Sequence, residues 1–247
     1  MQKFIFSSLI IAGFIQTQPS QASSTDDAKA ITLDTMEVKG RATDLLGVAA
    51  SASQGVVGQA EFAYRPLARA GELVEVVPGA LATQHSGSGK ANQFYLRGFN
   101  LDHGTDFSVM VDGVPMNMPS HAHGQGYLDL NTVIPELVDN IEYGKGPYYA
   151  DAGDFSSAGY SRMRTMSVLP KGLLKFTGGE FGYYRALLAD SKKIGSGNLL
   201  AAGEFNAYNG VWQQPEDLGK YNGMLRYTLD NKDWGLSVNA KAYHSSW

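Results

Sequence analysis

The sequence predicts an α+β domain, a small mixed sheet with short helices, followed by antiparallel strands of an incomplete transmembrane β-barrel. Three observations lead there. From Arg41 to about Pro170 every apolar run is short and broken by glycine, a mixed pattern too thin for a conventional enzyme core. Downstream of Pro170 the pattern changes to strict alternation. In Trp234 to Tyr243, one face carries Trp234, Leu236, Val238, Ala240 and Ala242, and the other carries Gly235, Ser237, Asn239, Lys241 and Tyr243. Alternating runs of about ten residues, rich in aromatics and joined by turns such as Asn231 to Asp233, match transmembrane barrel strands. The third observation is an export signal. Lys3 precedes a compact apolar run, Phe4 to Ile15, and Ser20, Gln21 and Ala22 offer small residues at a cleavage site. That run is shorter than the roughly 20 residues a spanning helix needs.

The expected organisation is a signal peptide over 1–22 and a flexible tail over 23–41. A mixed domain over 42–170 and barrel strands over 171–247 follow. About five strands cannot close a barrel, since an open edge in lipid leaves unpaired amides. The sequence therefore reads as a C-terminally truncated piece. A soluble antiparallel sheet shows the same alternation, so a soluble periplasmic binding or adhesion module is the competing reading.

Composition excludes several classes. The chain holds 20 Lys and Arg against 24 Asp and Glu, which argues against a nucleic-acid partner. It has no cysteine, which removes disulfide framing and thiolate chemistry. A secreted hydrolase would draw on Asp102, His103 and Ser108 or Ser120. No Gly-x-Ser-x-Gly elbow accompanies them, and Ser86-Gly87-Ser88 lacks the strand and helix such an elbow needs. No catalytic residue and no cofactor is expected.

Within the first domain, Gly71 to Val77 reads as a short helix or strand stopped by Pro78 and Gly79. Asn92 to Pro115 is the central stretch, two β-type runs around a polar loop, read as the middle of one sheet. Asp112-Gly113 is a turn signal. Arg97 inside a strand is either an edge-strand arginine in water or, if buried, predicts a carboxylate partner facing it from elsewhere, because a buried guanidinium must be paired. Asn131 to Val138, with Pro135 early, reads as a short helix, and Ile141 to Tyr143 as a strand. Within the tail, Ile31 to Lys39 alternates. It is either a strand lent to another protein's sheet edge or the first strand of the following domain.

The histidines supply the ligand clue. His121 and His123, two apart, would face the same way in an extended loop and are the candidate metal pair. Asp102, His103 and Asp106 lie in a loop that folds back near them, and Tyr127 adds an aromatic surface. Imidazoles and carboxylates suit zinc, copper or a ferric chelate. Tyr127, Tyr148 and Tyr149 suit stacking on a siderophore or a sugar.

The order of these signals resembles the TonB-dependent outer-membrane receptors. It runs from the signal peptide through Leu33–Lys39 and Val77-Pro78-Gly79 to Leu96-Arg97-Gly98-Phe99 and Val111-Asp112-Gly113-Val114-Pro115, and ends at Ile141 to Pro147. The resemblance implies that Leu33, Asp34, Thr35, Met36, Glu37, Val38 and Lys39 are the TonB box, that the mixed domain is a plug, and that the later strands begin a 22-strand barrel. It implies that Arg97, Glu142 and Lys145 lock plug to barrel wall. The implied partners are TonB with the ExbB–ExbD inner-membrane complex, outer-membrane lipid, and a small-molecule ligand such as a metal chelate. The implied function is energy-coupled import of a scarce nutrient, an iron-siderophore or other metal complex, without bond chemistry. Zinc, copper and a carbohydrate are the alternative substrates. Two departures stand out. Lys145 replaces an arginine, losing its fork, and Ala158 to Arg164 replaces a glycine pair and an apolar strand. The box lies close to the cleavage site, so no N-terminal signalling domain is expected.

Overall fold

The computed structural model describes residues 8–16, 48–231 and 233–247, so the expected TonB box and cleavage site lie outside the described residues. Part of the N-terminal apolar run, Ser8–Gln16, forms strand β1. The first domain begins with β2 (Val48–Ser51) and β3 (Gln54–Gly58), a single helical turn α1 (Gln59–Phe62) and a 3-10 segment, Ala70–Val76. β4 (Ala80–Thr83), β5 (Gln93–Leu96), β6 (Phe99–Asn100), β7 (Phe107–Val111), β8 (Val114–Pro115), β9 (Asn117–Met118) and β10 (Tyr127–Leu128) follow. A 3-10 turn, Pro135–Leu137, leads into β11 (Val138–Lys145), and another, Ala150–Ala152, precedes β12 (Gly159–Thr165).

β2, β3, β11, β12, β7 and β8 make one mixed sheet in that order, with β12 parallel to β7 and the other pairs antiparallel. β4, β5 and β6 form a separate three-stranded sheet, and β9 pairs with β10. The central stretch is thus divided between two sheets, which corrects the expectation of a single one. Its physical reason is the pair of two-residue turns. Arg97 and Gly98 have φ of 53° and 81°, and Asp112 and Gly113 have 53° and 80°. Positive φ at both central residues is the type I′ geometry that folds a strand back on its own neighbour. Arg97 is a turn residue, not a strand residue. Gly71 to Val77 resolves as 3-10 helix, with the Glu72 carboxylate accepting the Ala68 and Arg69 N–H groups at its start.

Leu73, Phe94, Leu101, Phe107, Val109, Leu128, Ile141 and Met163 fill the core between these sheets. Burying each large side chain contributes about 1.5–3 kcal/mol against exposure.

The second unit is a long-stranded antiparallel sheet of β13 (Leu173–Gly178), β14 (Tyr184–Ile194), β15 (Gly197–Tyr208), β16 (Leu218–Asp230) and β17 (Gly235–Ser246). β1 takes the outer edge of β17, with Ser8 opposite Tyr243 and Gln16 opposite Gly235. An extended apolar segment satisfies the row of N–H and C=O groups that such an edge presents.

The faces of this sheet are inverted relative to a water-soluble one. Leu174 (64%), Phe176 (74%) and Leu188 (62%) are exposed, as are Tyr184, Tyr221, Leu225 and Val238. Glu204, Asn206, Asn222, Thr228 and Asn239 are buried. Leu187, Ala189, Leu200 and Met224 pack on Ile134, Leu137 and Leu169 of the first unit.

Asn117 ties together the loops that carry the candidate ligand residues. Its buried Nδ2 donates to the carbonyls of Gly104, Phe107 and Gly126 at 2.9, 3.0 and 3.1 Å, and its Oδ1 accepts the Val109 N–H at 2.8 Å. Asn117→Ala should lower stability by about 2–4 kcal/mol, since several buried polar groups lose their partner. A denaturant titration of the refolded protein measures this, and a loss under about 1 kcal/mol would remove Asn117 from this role.

Candidate functional site

Four of the five histidines converge on one end of the first domain, beside Tyr127. His103 forms the floor and is 1% exposed. Its backbone carbonyl accepts the Leu128 N–H at 2.7 Å, and its Nδ1 lies 2.9 Å from the Asn92 carbonyl oxygen. A carbonyl only accepts, so Nδ1 carries the proton and Nε2 is left as an acceptor. Gly71 makes room for Asn92, because a Cβ there would lie 2.1 Å from the Asn92 Oδ1. Burial lowers the His103 imidazole below its ordinary value, against the raising effect of the Asn92 hydrogen bond and the Asp102 charge.

Around the Nε2 of His103 stand His85 Nε2 at 3.1 Å, Asp102 Oδ1 at 3.9 Å and the ring of His123, edge-on with centroids 4.5 Å apart. Donor atoms of Asp102, His103 and His123 all lie within 4.8 Å of one another. His85 and His123 are exposed, so the group is open to solvent above a buried floor.

The other predicted ligand residues take different places. His121 is not in the converging donor set. Its ring stacks on Tyr127, centroids 4.0 Å apart and 13° from parallel, and its Nδ1 accepts the His123 N–H at 3.2 Å. It holds His123 in position. Asp106 turns away, accepting hydrogen bonds from Thr105 Oγ1 at 2.9 Å and from Ser157 Oγ. Tyr127 is buried, its hydroxyl oxygen accepts the Ala91 N–H at 3.2 Å, and burial raises its phenol. His85 was missed in the sequence, where it reads as part of a Ser- and Gly-rich loop. Its segment is fastened to the long-stranded sheet, for Glu216 accepts the Ser88 N–H at 2.7 Å and Trp247 lies against Gly87 and Gly89.

The charged contacts between the two units come from unexpected residues. Arg97 is exposed and, among the described residues, joins no ion pair, so the predicted carboxylate partner does not face it. A turn position on the surface needs no counter-charge. Glu142 pairs within its own domain, with Arg162 at 3.2 Å and the Tyr160 hydroxyl at 3.1 Å. Lys145 is buried, reaching the Pro78 carbonyl at 3.5 Å, and burial and then Arg97 lower its ammonium.

The actual contacts are Glu136 and Asp112. Glu136 accepts hydrogen bonds from the two terminal guanidinium nitrogens of Arg185, at 2.6 and 2.8 Å, and from Lys175 at 3.0 Å. Arg185 bridges on to Glu204, which also meets Lys220 at 3.4 Å. Asp112 meets Lys241 at 2.8 Å and Arg226 at 3.4 Å, while Arg226 also donates to the Thr165 carbonyl at 2.6 Å. The sequence signal for these pairs is the recurrence of Arg185, Glu204, Lys220, Arg226 and Lys241 on the polar face of otherwise apolar alternating strands. Burial alone would push the Glu136 carboxyl up, but the Arg185 hydrogen bonds and charge prevail and hold it at about 2.

Residues 47–160 match the family model of the TonB-dependent receptor plug domain. The chain carries a TonB-dependent receptor plug domain. Solved structures agree on the fold. The chain is similar to the copper transporter OprC at 19% identity, with a TM-score of 0.59 over 80% of this chain and 32% of that one. It resembles the siderophore receptor PirA of Pseudomonas aeruginosa at 17% identity and TM-score 0.56, over 77% and 35% of the two chains. It also resembles the ferric yersiniabactin receptor FyuA of Yersinia pestis at 20% identity and TM-score 0.57, over 76% and 31%. The chain spans about a third of the length of these proteins. In the fold it shares with them, the first unit is the plug and the strands β13 to β17 belong to the wall.

The Glu136 contact has a pH signature. A carboxyl held at about 2 when folded contributes stability that is complete above its unfolded value near 4.5 and is lost as pH falls toward 2. The loss should reach roughly 3 kcal/mol. Denaturant midpoints of the whole chain, plug and wall together, measured between pH 6 and pH 2.5 should fall over that window, and Glu136→Gln should flatten the fall. An unchanged slope in the variant would show that other carboxylates set the acid limit.

Proposed function

We propose that this chain is part of an outer-membrane receptor that imports a scarce nutrient, an iron-siderophore or other metal complex, by energy-coupled transport. The observation that carries the reading is the inverted wall. Its outward face is apolar and exposed while its inward face is polar and ion-paired to the plug, the arrangement lipid outside and a polar interior require. A soluble periplasmic binding or adhesion module would bury the face that is exposed here.

Ligand arrives at the histidine end of the plug, where His85, His103, His123 and Tyr127 meet. Binding shifts the plug among its states, and the pairs of Glu136 and Asp112 with the wall are the contacts that must yield. Ion pairs suit this role, because water or another charge can replace a partner more readily than a packed apolar surface can be rebuilt. Leu33 to Lys39 then adds as a strand to TonB, which is driven by the ExbB–ExbD complex of the inner membrane. Transport moves the ligand and breaks no bond. The related receptors named for copper, for siderophores and for ferric yersiniabactin support a metal-bearing ligand.

Phe4 to Ile15 acts as a secretory leader, cut after Ala22. Cleavage removes β1 and frees the β17 edge for another strand. N-terminal sequencing of protein from the outer-membrane fraction should begin at Ser23, and recovery of an intact Met1 terminus would instead make β1 a resident strand.

Deleting residues 33–39 from the full-length receptor should abolish uptake and leave ligand binding at the cell surface unchanged. Normal uptake by the deletion protein would refute the box assignment. Recovery of the full-length protein in a soluble periplasmic extract would refute the receptor reading altogether.

A further inference from the structure

Donor atoms of Asp102, His103 and His123 lie within 4.8 Å of one another at the end of the plug, and His85 reaches the same nitrogen of His103. His103 Nε2 accepts a hydrogen bond from His85 Nε2 at 3.1 Å, and an ion would take the place of the proton they share. Two imidazole nitrogens sharing a tetrahedral ion, each about 2.0–2.1 Å from it, are separated by about 3.3 Å. Asp102 Oδ1, at 3.9 Å from the same nitrogen, needs to close by only about half an ångström to reach a comparable edge length. His123 brings a ring nitrogen within 4.8 Å of both the Asp102 carboxylate and His103. The orientation is built in from behind. The Asn92 carbonyl fixes the His103 tautomer and leaves Nε2 as the donor atom toward the group, and metal-bound histidines almost always give their other ring N–H to a carbonyl or carboxylate in this way. His121, stacked on Tyr127, holds the His123 backbone through its own ring nitrogen and so cannot offer that atom to an ion.

We propose that His85, His103, His123 and Asp102 bind a divalent transition-metal ion of borderline softness, zinc or copper(II), directly through protein side chains. The site deepens the transport reading, on which it rests only for the fate of the ion after capture. Three imidazoles and one carboxylate, with no cysteine in the chain, favour these ions over the hard cations that take all-oxygen sets. The buried floor and exposed rim suit an ion arriving from solvent: His103 is fixed, and His85 and His123 close over it. His85 belongs to the segment held by Glu216 and Trp247, so closure on an ion also pulls on the wall.

The test uses the full-length protein in detergent, without a histidine tag, stripped by chelator and titrated calorimetrically with zinc chloride and, separately, copper sulfate. His123→Ala and His85→Ala, both at exposed positions, should each weaken binding at least about 10-fold, and His103→Gln about 100-fold. His244→Ala, on β17 away from the group, should stay within about threefold. The copper-loaded protein should show nitrogen hyperfine splitting in its electron paramagnetic resonance spectrum, diminished in His123→Ala. Affinities unchanged in both His85→Ala and His123→Ala, or no binding by the parent protein, would overturn the site. A parent that binds neither metal but still imports a nutrient in an energy-dependent way would remove the metal site and leave the transport reading standing. Metal binding lost in the variants, without any energy-coupled uptake, would do the reverse.

Discussion

A wall that turns its apolar face outward must find partners for the charges it turns inward, and that constraint organises the rest of the molecule. Arg185, Glu204, Lys220, Arg226 and Lys241 all lie on the inner face, where water is scarce and unpaired charge is expensive. The plug answers with two carboxylates. Glu136 follows Pro135 in a short 3-10 turn, and Asp112 occupies a left-handed turn position. Both are carried by rigid, tightly turned backbone, so the charges meet without ordering a long flexible segment. Apolar contact is centred on Ile134, Leu137 and Leu169 against Leu187, Ala189, Leu200 and Met224, with Met166, Leu173 and Ala202 at its margin. The interface is therefore more ionic than the interior of the plug, whose large apolar side chains form a continuous core.

That difference gives the two interfaces different mechanical roles. A packed core resists small displacement because every void loses contact energy. An ion-paired surface instead has discrete alternatives, since each charge can exchange one partner for another or for water. Buried ion pairs add little net stability relative to apolar packing, but removing one partner leaves a stranded charge. Glu136, Arg185 and Glu204 form a chain of such pairs, so displacing one member is felt along the whole line.

The histidine end follows a separate logic. Its geometry depends on hydrogen bonds between loops. Asn117 gathers three carbonyls, His103 is gripped through both its backbone and its ring, and His123 is held by the ring of His121. Gly104 and Gly126 have positive φ, and a Cβ at Gly104 would come within 2.5 Å of Leu128, so the loops can approach only because these positions lack one. A site on loops is precise here because each loop is tied at its base.

Much of this was legible from residue order. The period-two alternation, the glycine-broken mixed domain and the turn at Asp112-Gly113 are local properties, fixed by side-chain spacing and by the φ values that short segments adopt, and each found its expected structure. Of the ligand residues read from the sequence, Asp102, His103 and His123 come together, while His121 and Asp106 do not and His85, unread, joins them. Only the tertiary structure decided which atoms meet. Arg97 carries a charge in a β-like run, yet its place in a turn puts it at the surface. Asp112 reads as turn chemistry, yet its carboxylate is pinned by Lys241, 129 positions away. His121 and His123 look equivalent by spacing, yet stacking on Tyr127 takes one out of the donor set and leaves the other in it. Sequence spacing determines direction along a strand or around a turn. The identity of a partner from another element depends on how separate sheets pack, and no local pattern carries that information.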